Sequence, residues 1–196
     1  MFNGIIKHIG KIHSITKKNK NCYLQILSNM KFSANEIGSS ISCSGVCLTL
    51  DKIHKNISFF YLSHETLLKS NYKNANKGSI LNLEKSIKYG ERVSGHFVQG
   101  HVDTTSFVKK ISFKGKSWFI YFSLSNKFRK LIVPKGSIAI NGVSLTISKI
   151  LPKGFEVVII PKTLKLTNLI LLKEKDLVNI EFDVFGKYIN RSLKNL

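Results

Sequence analysis

Apolar residues in this 196-residue chain fall mostly at every second position, in short runs separated by turn residues. The segment Ser137 to Ser148 is the clearest case: Ile138 and Ile140 share one face before Asn141-Gly142, and Val143, Leu145 and Ile147 share one face after it. Alternation around an Asn-Gly pair predicts two strands joined by a tight hairpin, because both central residues of such a turn must accept positive φ. Ser44-Gly45 takes that place earlier in the chain. The runs Ile57 to Leu62, Trp118 to Leu124, Phe155 to Ile160 and Leu177 to Phe182 read as further strands, and Ser63 to Lys69 and Pro161 to Asn168 as short helical turns or loops. The end of the chain differs. Phe185, Tyr188, Ile189, Leu193 and Leu196 fall at helical spacing and predict a C-terminal helix whose apolar stripe is free to pack against another subunit.

The strand pattern is written twice. Ser40-Ile41 recurs as Ser137-Ile138, Gly45-Val46-Cys47-Leu48-Thr49 as Gly142-Val143-Ser144-Leu145-Thr146, Thr66-Leu67 and Asn71 as Thr163-Leu164 and Asn168, and Asn82-Leu83-Glu84 as Asn179-Ile180-Glu181, all 97 residues apart. Gly4 and Gly100 are 96 apart, so one indel separates the copies there. That period is too long for a solenoid unit and suits a duplicated domain. Several short strands per copy predict a small closed or Greek-key barrel, an all-β fold. Each half alone would have a thin core, so the halves are expected to lean on each other or on other subunits.

Composition narrows the class. With 43% hydrophobic and 10% aromatic residues the chain is globular. No stretch approaches the roughly 18 apolar residues of a membrane span. Met1 to Gly10 is interrupted by Lys7 and His8, so no signal peptide is read and a cytoplasmic protein without a membrane partner is expected. Three cysteines, Cys22, Cys43 and Cys47, are an odd number for a disulfide framework and are expected to be thiols in a reducing compartment. A formal charge of +20 invites a nucleic-acid reading, but lysines are scattered, only Arg92, Arg129 and Arg191 occur, and no basic block interleaves with aromatics. Abundant lysine, asparagine, isoleucine and phenylalanine are what A+T-rich codons produce, so no nucleic-acid partner is expected.

Candidate chemistry clusters near the two turns. Ser144 and Thr146 share a strand face with hydroxyls roughly 6 to 7 Å apart, and Cys47 and Thr49 do the same in the first copy. That spacing suits the rim of a flat heterocycle, although the solvent face of an amphipathic strand has the same pattern. Ser94-Gly95-His96-Phe97-Val98-Gln99-Gly100-His101 carries two of the six histidines beside glycines that permit close backbone approach, and histidine is the usual proton shuttle near neutrality. Neither Cys43/Cys47 nor His96/His101 has standard zinc spacing, so no metal is expected. Cys47 is a candidate nucleophile or an inert buried thiol. Phosphate-binding glycine loops and a Gly-x-Ser-x-Gly elbow are absent, which removes nucleotide hydrolysis and serine-esterase chemistry.

Taken together, Met1-Phe2-Asn3-Gly4-Ile5-Ile6, Gly45-Val46-Cys47-Leu48-Thr49, Glu65-Thr66-Leu67, Asn82-Leu83-Glu84, Gly95-His96-Phe97-Val98-Gln99-Gly100-His101-Val102-Asp103, Gly142-Val143-Ser144-Leu145-Thr146 and Ile160-Pro161-Lys162-Thr163 closely resemble riboflavin synthase, a family with two lumazine-binding repeats, over nearly the whole chain. The resemblance implies two tandem six-stranded Greek-key barrels, at residues 1–96 and 97–184, and a C-terminal helix at 185–196 that helps form a homotrimer. It implies dismutation of two 6,7-dimethyl-8-ribityllumazine molecules to riboflavin and 5-amino-6-ribitylaminouracil, by transfer of a four-carbon unit, without cofactor or metal. Association with lumazine synthase is a further implied partner. A lumazine- or flavin-binding protein without activity, built from the same repeats, is the alternative.

By the same resemblance the catalytic residues would be Cys47, His101, Ser144, Thr146, Phe2 and Asp183, with Cys47 attacking C7 of one ring and His101, or a hydroxyl it activates, deprotonating the C7 methyl of the other. One site would use Gly4, Ile5 and Ile6 with Cys47, Leu48 and Thr49 and with Tyr61, Leu62, Ser63, His64, Glu65 and Thr66. The other would use Gly100, His101 and Val102 with Lys135, with Ser144, Leu145 and Thr146, and with Val158, Ile159, Ile160, Pro161, Lys162 and Thr163.

Overall fold

Both expected hairpin turns form. Ser44 and Gly45 adopt φ of 47° and 80°, and Asn141 and Gly142 adopt 46° and 76°, the paired positive values that a two-residue turn needs to follow the right-handed strand twist. The computed structural model describes residues 1–18 and 21–193.

The first copy folds as β1 (His8–Lys18), β2 (Asn21–Ser28), β3 (Ser40–Cys43), β4 (Val46–His54), β5 (Ile57–Leu62) and β6 (Ile80–Lys85), closed in the order β1-β2-β5-β4-β3-β6. The second folds as β7 (Thr104–Lys114), β8 (Ser117–Ser123), β9 (Ser137–Ile140), β10 (Val143–Leu151), β11 (Gly154–Ile159) and β12 (Leu177–Phe182), and closes in the corresponding order. All neighbouring strands are antiparallel. Each ring is bent by register shifts at matching places, Ile12/Ser14 with Val108/Lys110 and Leu50/Lys52 with Ile147/Lys149. Such bulges sharpen local twist and help a short sheet close on itself.

The alternation read from sequence places the cores. Leu24, Ile41, Leu48, Leu50, Phe60, Leu62 and Leu83 fill the first barrel, and Ile120, Phe122, Ile138, Ile140, Ile147, Phe155, Val157 and Ile180 fill the second. Tyr72, fully buried, satisfies its hydroxyl by donating to the Cys43 carbonyl at 3.1 Å. The short helical stretches are α1 (His64–Lys69), capped by Ser63, and α2 (Pro161–Leu166), which Ile160 precedes as cap residue instead of ending β11. The C-terminal helix α3 (Val184–Ser192) starts at Asp183, whose carboxylate accepts the Phe185 N–H at 3.0 Å. Phe185, Tyr188, Ile189 and Leu193 are exposed, whereas Leu196 lies outside the described residues.

The barrels meet about a local two-fold axis. Phe2 and Val98 exchange backbone hydrogen bonds at 2.7 and 3.1 Å, and a Cβ on either Gly45 or Gly142 would fall 2.7 or 2.6 Å from the other turn's backbone nitrogen. Buried Asn82 donates to the Asn141 carbonyl and to Asn168 Oδ1, both at 2.9 Å, while accepting the Asn168 N–H at 2.7 Å. Its counterpart Asn179 donates to the Ser44 carbonyl at 2.9 Å and accepts the Asn71 N–H at 2.7 Å. Buried amides are tolerated because the polar groups they bring find partners in the opposite barrel.

Candidate active site

The segment ahead of each first strand does not stay with its own barrel. Gly4, at φ 71°, presents its carbonyl to the Ser144 N–H of β10 at 2.8 Å, and Gly100, at φ 80°, presents its carbonyl to the Cys47 N–H of β4 at 2.8 Å. A Cβ on Gly4 would lie 2.7 Å from Ser144 Cβ, and one on Gly100 2.6 Å from Cys47 Cβ, so only glycine fits. Ile6 is buried in the second barrel's core, and Val102 packs against the first. The grouping expected from sequence is therefore exchanged: Gly4, Ile5 and Ile6 belong with Ser144, and Gly100, His101 and Val102 belong with Cys47. The repeat marks these residues as equivalent, but a two-fold crossing decides which barrel they meet.

Two carboxylates hold these crossings. Glu84 of β6 accepts the N–H of Asn3 at 2.7 Å and of Gly4 at 3.0 Å. Glu181 of β12 accepts the N–H of Gln99, Gly100 and His101 at 2.6, 2.9 and 3.0 Å. Burial pushes Glu84 up to about 7 despite the N–H groups of Asn3, Gly4 and Ile5 and the charge of Lys7, which pull it down. Glu181 is raised by the same cause.

Ser144 has a partner that sequence reasoning left out of the site. His96 Nδ1 lies 2.7 Å from Ser144 Oγ, with the ring buried and its Nε2 without a partner among the described residues. Burial holds this imidazole below its ordinary value, opposed by the charge of Asp183. It is thus neutral near pH 7, as a base must be. Gly95 lies against Ser144 and the Asn3 carbonyl, leaving no room for a side chain. The glycine immediately before His96 was the available signal.

Cys47 is half-buried and packs against the cluster of Phe2, Val98 and Ala139. Phe2 is fully buried there and supports the site from behind. Thr49 and Thr146 are exposed beside Cys47 and half-buried Ser144, while Leu48, Leu62, Leu145 and Ile159 point into the barrels. Tyr61, Ser63, His64 and Glu65 are exposed and Thr66 half-buried at one barrel mouth; Ile160, Pro161 and Lys162 are exposed, and Val158 and Thr163 half-buried, at the other. His101 is exposed, and Lys135 is exposed at φ 66°. The imidazole on the Ser144 hydroxyl is that of His96, not of His101. Among the described residues no three of His, Cys, Asp and Glu gather around a metal position, and no helix is long and apolar enough to cross a membrane.

Comparison with known proteins decides the family. Residues 3–86 and 99–183 each match the lumazine binding domain model. The chain is 36% identical over 198 residues to the riboflavin synthase of Buchnera aphidicola subsp. Schizaphis graminum, covering 100% of this chain and 95% of that protein. It is 35% identical to the riboflavin synthase of Bacillus subtilis, covering 98% and 90%. The chain belongs to the riboflavin synthase family. A further relative, the riboflavin synthase of Escherichia coli, is 35% identical over 93% of this chain and 87% of its own length. Among solved structures, LumP complexed with riboflavin superposes with a TM-score of 0.82 over 93% of this chain and 99% of that one, at 23% identity. That likeness is one of fold, the paired six-stranded barrels.

Proposed function

We propose that this chain is a riboflavin synthase, a transferase that dismutates two 6,7-dimethyl-8-ribityllumazine molecules. A four-carbon unit passes from one lumazine to the other, giving riboflavin and 5-amino-6-ribitylaminouracil, with no cofactor or metal. The observation that carries the reading is the equivalence of Cys47 and Ser144: each sits just after a tight turn, faces out of its barrel beside a threonine, and is bonded through its N–H to a glycine from the other copy. A reaction that consumes two identical substrates needs two like pockets with unlike chemistry.

Cys47 is the nucleophile for C7 of one lumazine, since sulfur is the most nucleophilic group present. The C7 methyl of the other is acidic because its carbanion delocalises into the ring, so a modest base suffices. Ser144, with neutral His96 against its hydroxyl, supplies one; exposed His101, on the loop beside Cys47, supplies another. Thr49 and Thr146 meet ring or ribityl polar atoms, while Lys135 and the two mouths, Tyr61 to Thr66 and Val158 to Thr163, complete the ligand contacts. Phe2 backs Cys47, and Asp183 both caps α3 and biases His96 electrostatically. Alignment of two rings by such pockets contributes several kcal/mol, up to roughly 7 to 11 in favourable cases.

Residues 1–96 and 97–184 serve as the two lumazine-binding units. The exposed Phe185, Tyr188, Ile189 and Leu193 on α3 support trimer formation, and a cytoplasmic setting with access to lumazine synthase suits the reaction. The test is incubation of purified protein with 6,7-dimethyl-8-ribityllumazine alone, following riboflavin by fluorescence. Riboflavin formation is expected. Ligand binding without product would leave a non-catalytic lumazine or flavin carrier built from the same repeats.

A further inference from the structure

The repeated Asn-x-Glu motif at the end of β6 and β12 contributes a carboxylate to each barrel that no catalytic step above employs. We propose that Glu84 and Glu181 are positioning residues that each fix the crossing segment of their own copy against the pocket of the opposite barrel, Glu181 serving the Cys47 site and Glu84 serving the Ser144 site. This rests on the reading of Gly4–Ile6 and Gly100–Val102 as ligand contacts.

The geometry is a grip from two sides. At Gly100 the carbonyl is taken by Cys47 of the first barrel at 2.8 Å, while the N–H is taken by Glu181 of the second at 2.9 Å. Gly4 is held the same way, its carbonyl by Ser144 and its N–H by Glu84 at 3.0 Å. Both glycines lack a side chain that could be packed into place, and both sit at positive φ, so backbone hydrogen bonds are what fix the crossing. A carboxylate suits this because its two oxygens accept several N–H donors at once, whereas a carboxamide offers one acceptor and turns its NH2 toward a second donor.

Neither a solvent-facing role nor a salt bridge accounts for the two residues. Glu84 is 8% and Glu181 2% exposed, so neither is a solvent-facing strand position. The ion pairs among the described residues are Lys69–Glu65, Lys85–Glu36 and Lys187–Asp103, none of which involves them. A buried carboxylate without a paired cation is costly, and the contacts that offset the cost are the amides of the crossing segments. Leu83 beside Glu84 and Ile180 beside Glu181 face the barrel cores, so each carboxylate stands on the outer face of its strand and links that strand to the pocket of the other barrel.

The discriminating experiment is amide-resolved NMR of the full chain titrated with riboflavin, comparing the parent with Glu181→Gln and Glu84→Gln. In Glu181→Gln the riboflavin needed to shift the amides of Cys47 and Thr49 is expected to rise about tenfold or more, while that for Ser144 and Thr146 stays within about twofold. Glu84→Gln is expected to give the mirror result. Equal weakening at both sites, weakening in the variant's own barrel, or no change overturns the proposal. Absence of riboflavin binding by the parent overturns the proposed function instead. Should a variant not fold, hydrogen exchange in the ligand-free parent decides: the amides of Asn3, Gly4, Gln99, Gly100 and His101 are expected to exchange as slowly as those of β6 and β12, and free exchange there removes the clamp.

Discussion

Ser144 donates its backbone N–H to the carbonyl of Gly4 at 2.8 Å, although the two residues belong to different copies of the repeat. The same bond joins Cys47 to Gly100, so neither pocket is built by one copy alone. Ala at Gly4 or Gly100 would combine a left-handed backbone with a Cβ driven into the opposite strand. We expect Gly4→Ala and Gly100→Ala each to cost about 2 to 4 kcal/mol in chemical denaturation and to abolish most turnover. Gly90, at φ 82° with open space around it, is the control: Gly90→Ala should show only the backbone cost, about 1 kcal/mol. Similar losses at all three positions would mean that the crossings are not tightly packed.

The amide network at the axis makes a second expectation. Asn82→Ala would strand the Asn168 N–H and the Asn141 carbonyl in a buried setting, and Asn179→Ala would strand the Asn71 N–H and the Ser44 carbonyl. Each is expected to cost about 2 to 4 kcal/mol, because a buried group left without its partner bears its full desolvation penalty. As the network joins the barrels, the double variant should also lower the cooperativity of urea unfolding, read as a smaller m-value or two separate transitions. A single steep transition at the parent's midpoint would show the amides to be dispensable.

Much of this was legible in the chain. The Asn141-Gly142 turn, the strand runs and the C-terminal helix follow from period-2 and period-3.6 patterning and the duplication from residues recurring 97 positions apart, and a strand end moved by one residue where Ile160 became the cap of α2. The exchanged crossings were not legible, because the spacing of Gly4 and Gly100 says that they are equivalent and nothing about which barrel each meets. Asn82, Glu84, Asn179 and Glu181 alternate with apolar neighbours just as solvent-facing residues do. Their burial comes from the opposite barrel and from the crossing segments, which no local pattern encodes. His96 and His101 stand close together in sequence, and only the fold separates the one against Ser144 from the one at the surface.

Glu84 gives the protein a pH signature of unusual sign. Its folded value of about 7 lies above the ordinary 4.5, so the folded state favours the protonated form. Its contribution is therefore most favourable below about 4.5, declines as pH rises from 4.5 to 7, and is constant above that. The decline amounts to up to about 3 kcal/mol at 1.36 kcal/mol per unit. Relief of repulsion among the surplus cations works in the opposite direction over the same range, so the quantity to measure is the difference in stability between the parent and Glu84→Gln. That difference is expected to move against the parent as pH rises from 4.5 to 7. A difference independent of pH would show that the three amides, and not burial, govern the carboxyl.

His96 offers the sharpest test of the chemistry. Its Nδ1 sits 2.7 Å from Ser144 Oγ, and burial holds the ring below the ordinary 6.5, so it is neutral at pH 7 and able to receive the serine proton. His96→Asn keeps a polar atom near the hydroxyl but cannot take up a proton at neutral pH. Turnover is expected to fall by about 10² to 10⁴, the usual worth of a positioned base, with riboflavin affinity within about twofold of the parent. In the parent kcat should decline on the acid side as His96 becomes protonated below its depressed value, and that limb should vanish in the variant. Since folding favours the neutral ring, the parent should also lose stability as pH falls through and below 6.5, and the variant should not share that loss. If His96→Asn lowered stability yet kept both the parent's kcat and its acid limb, the histidine would be a packing residue, and the proton would have to leave by way of His101 at the other pocket.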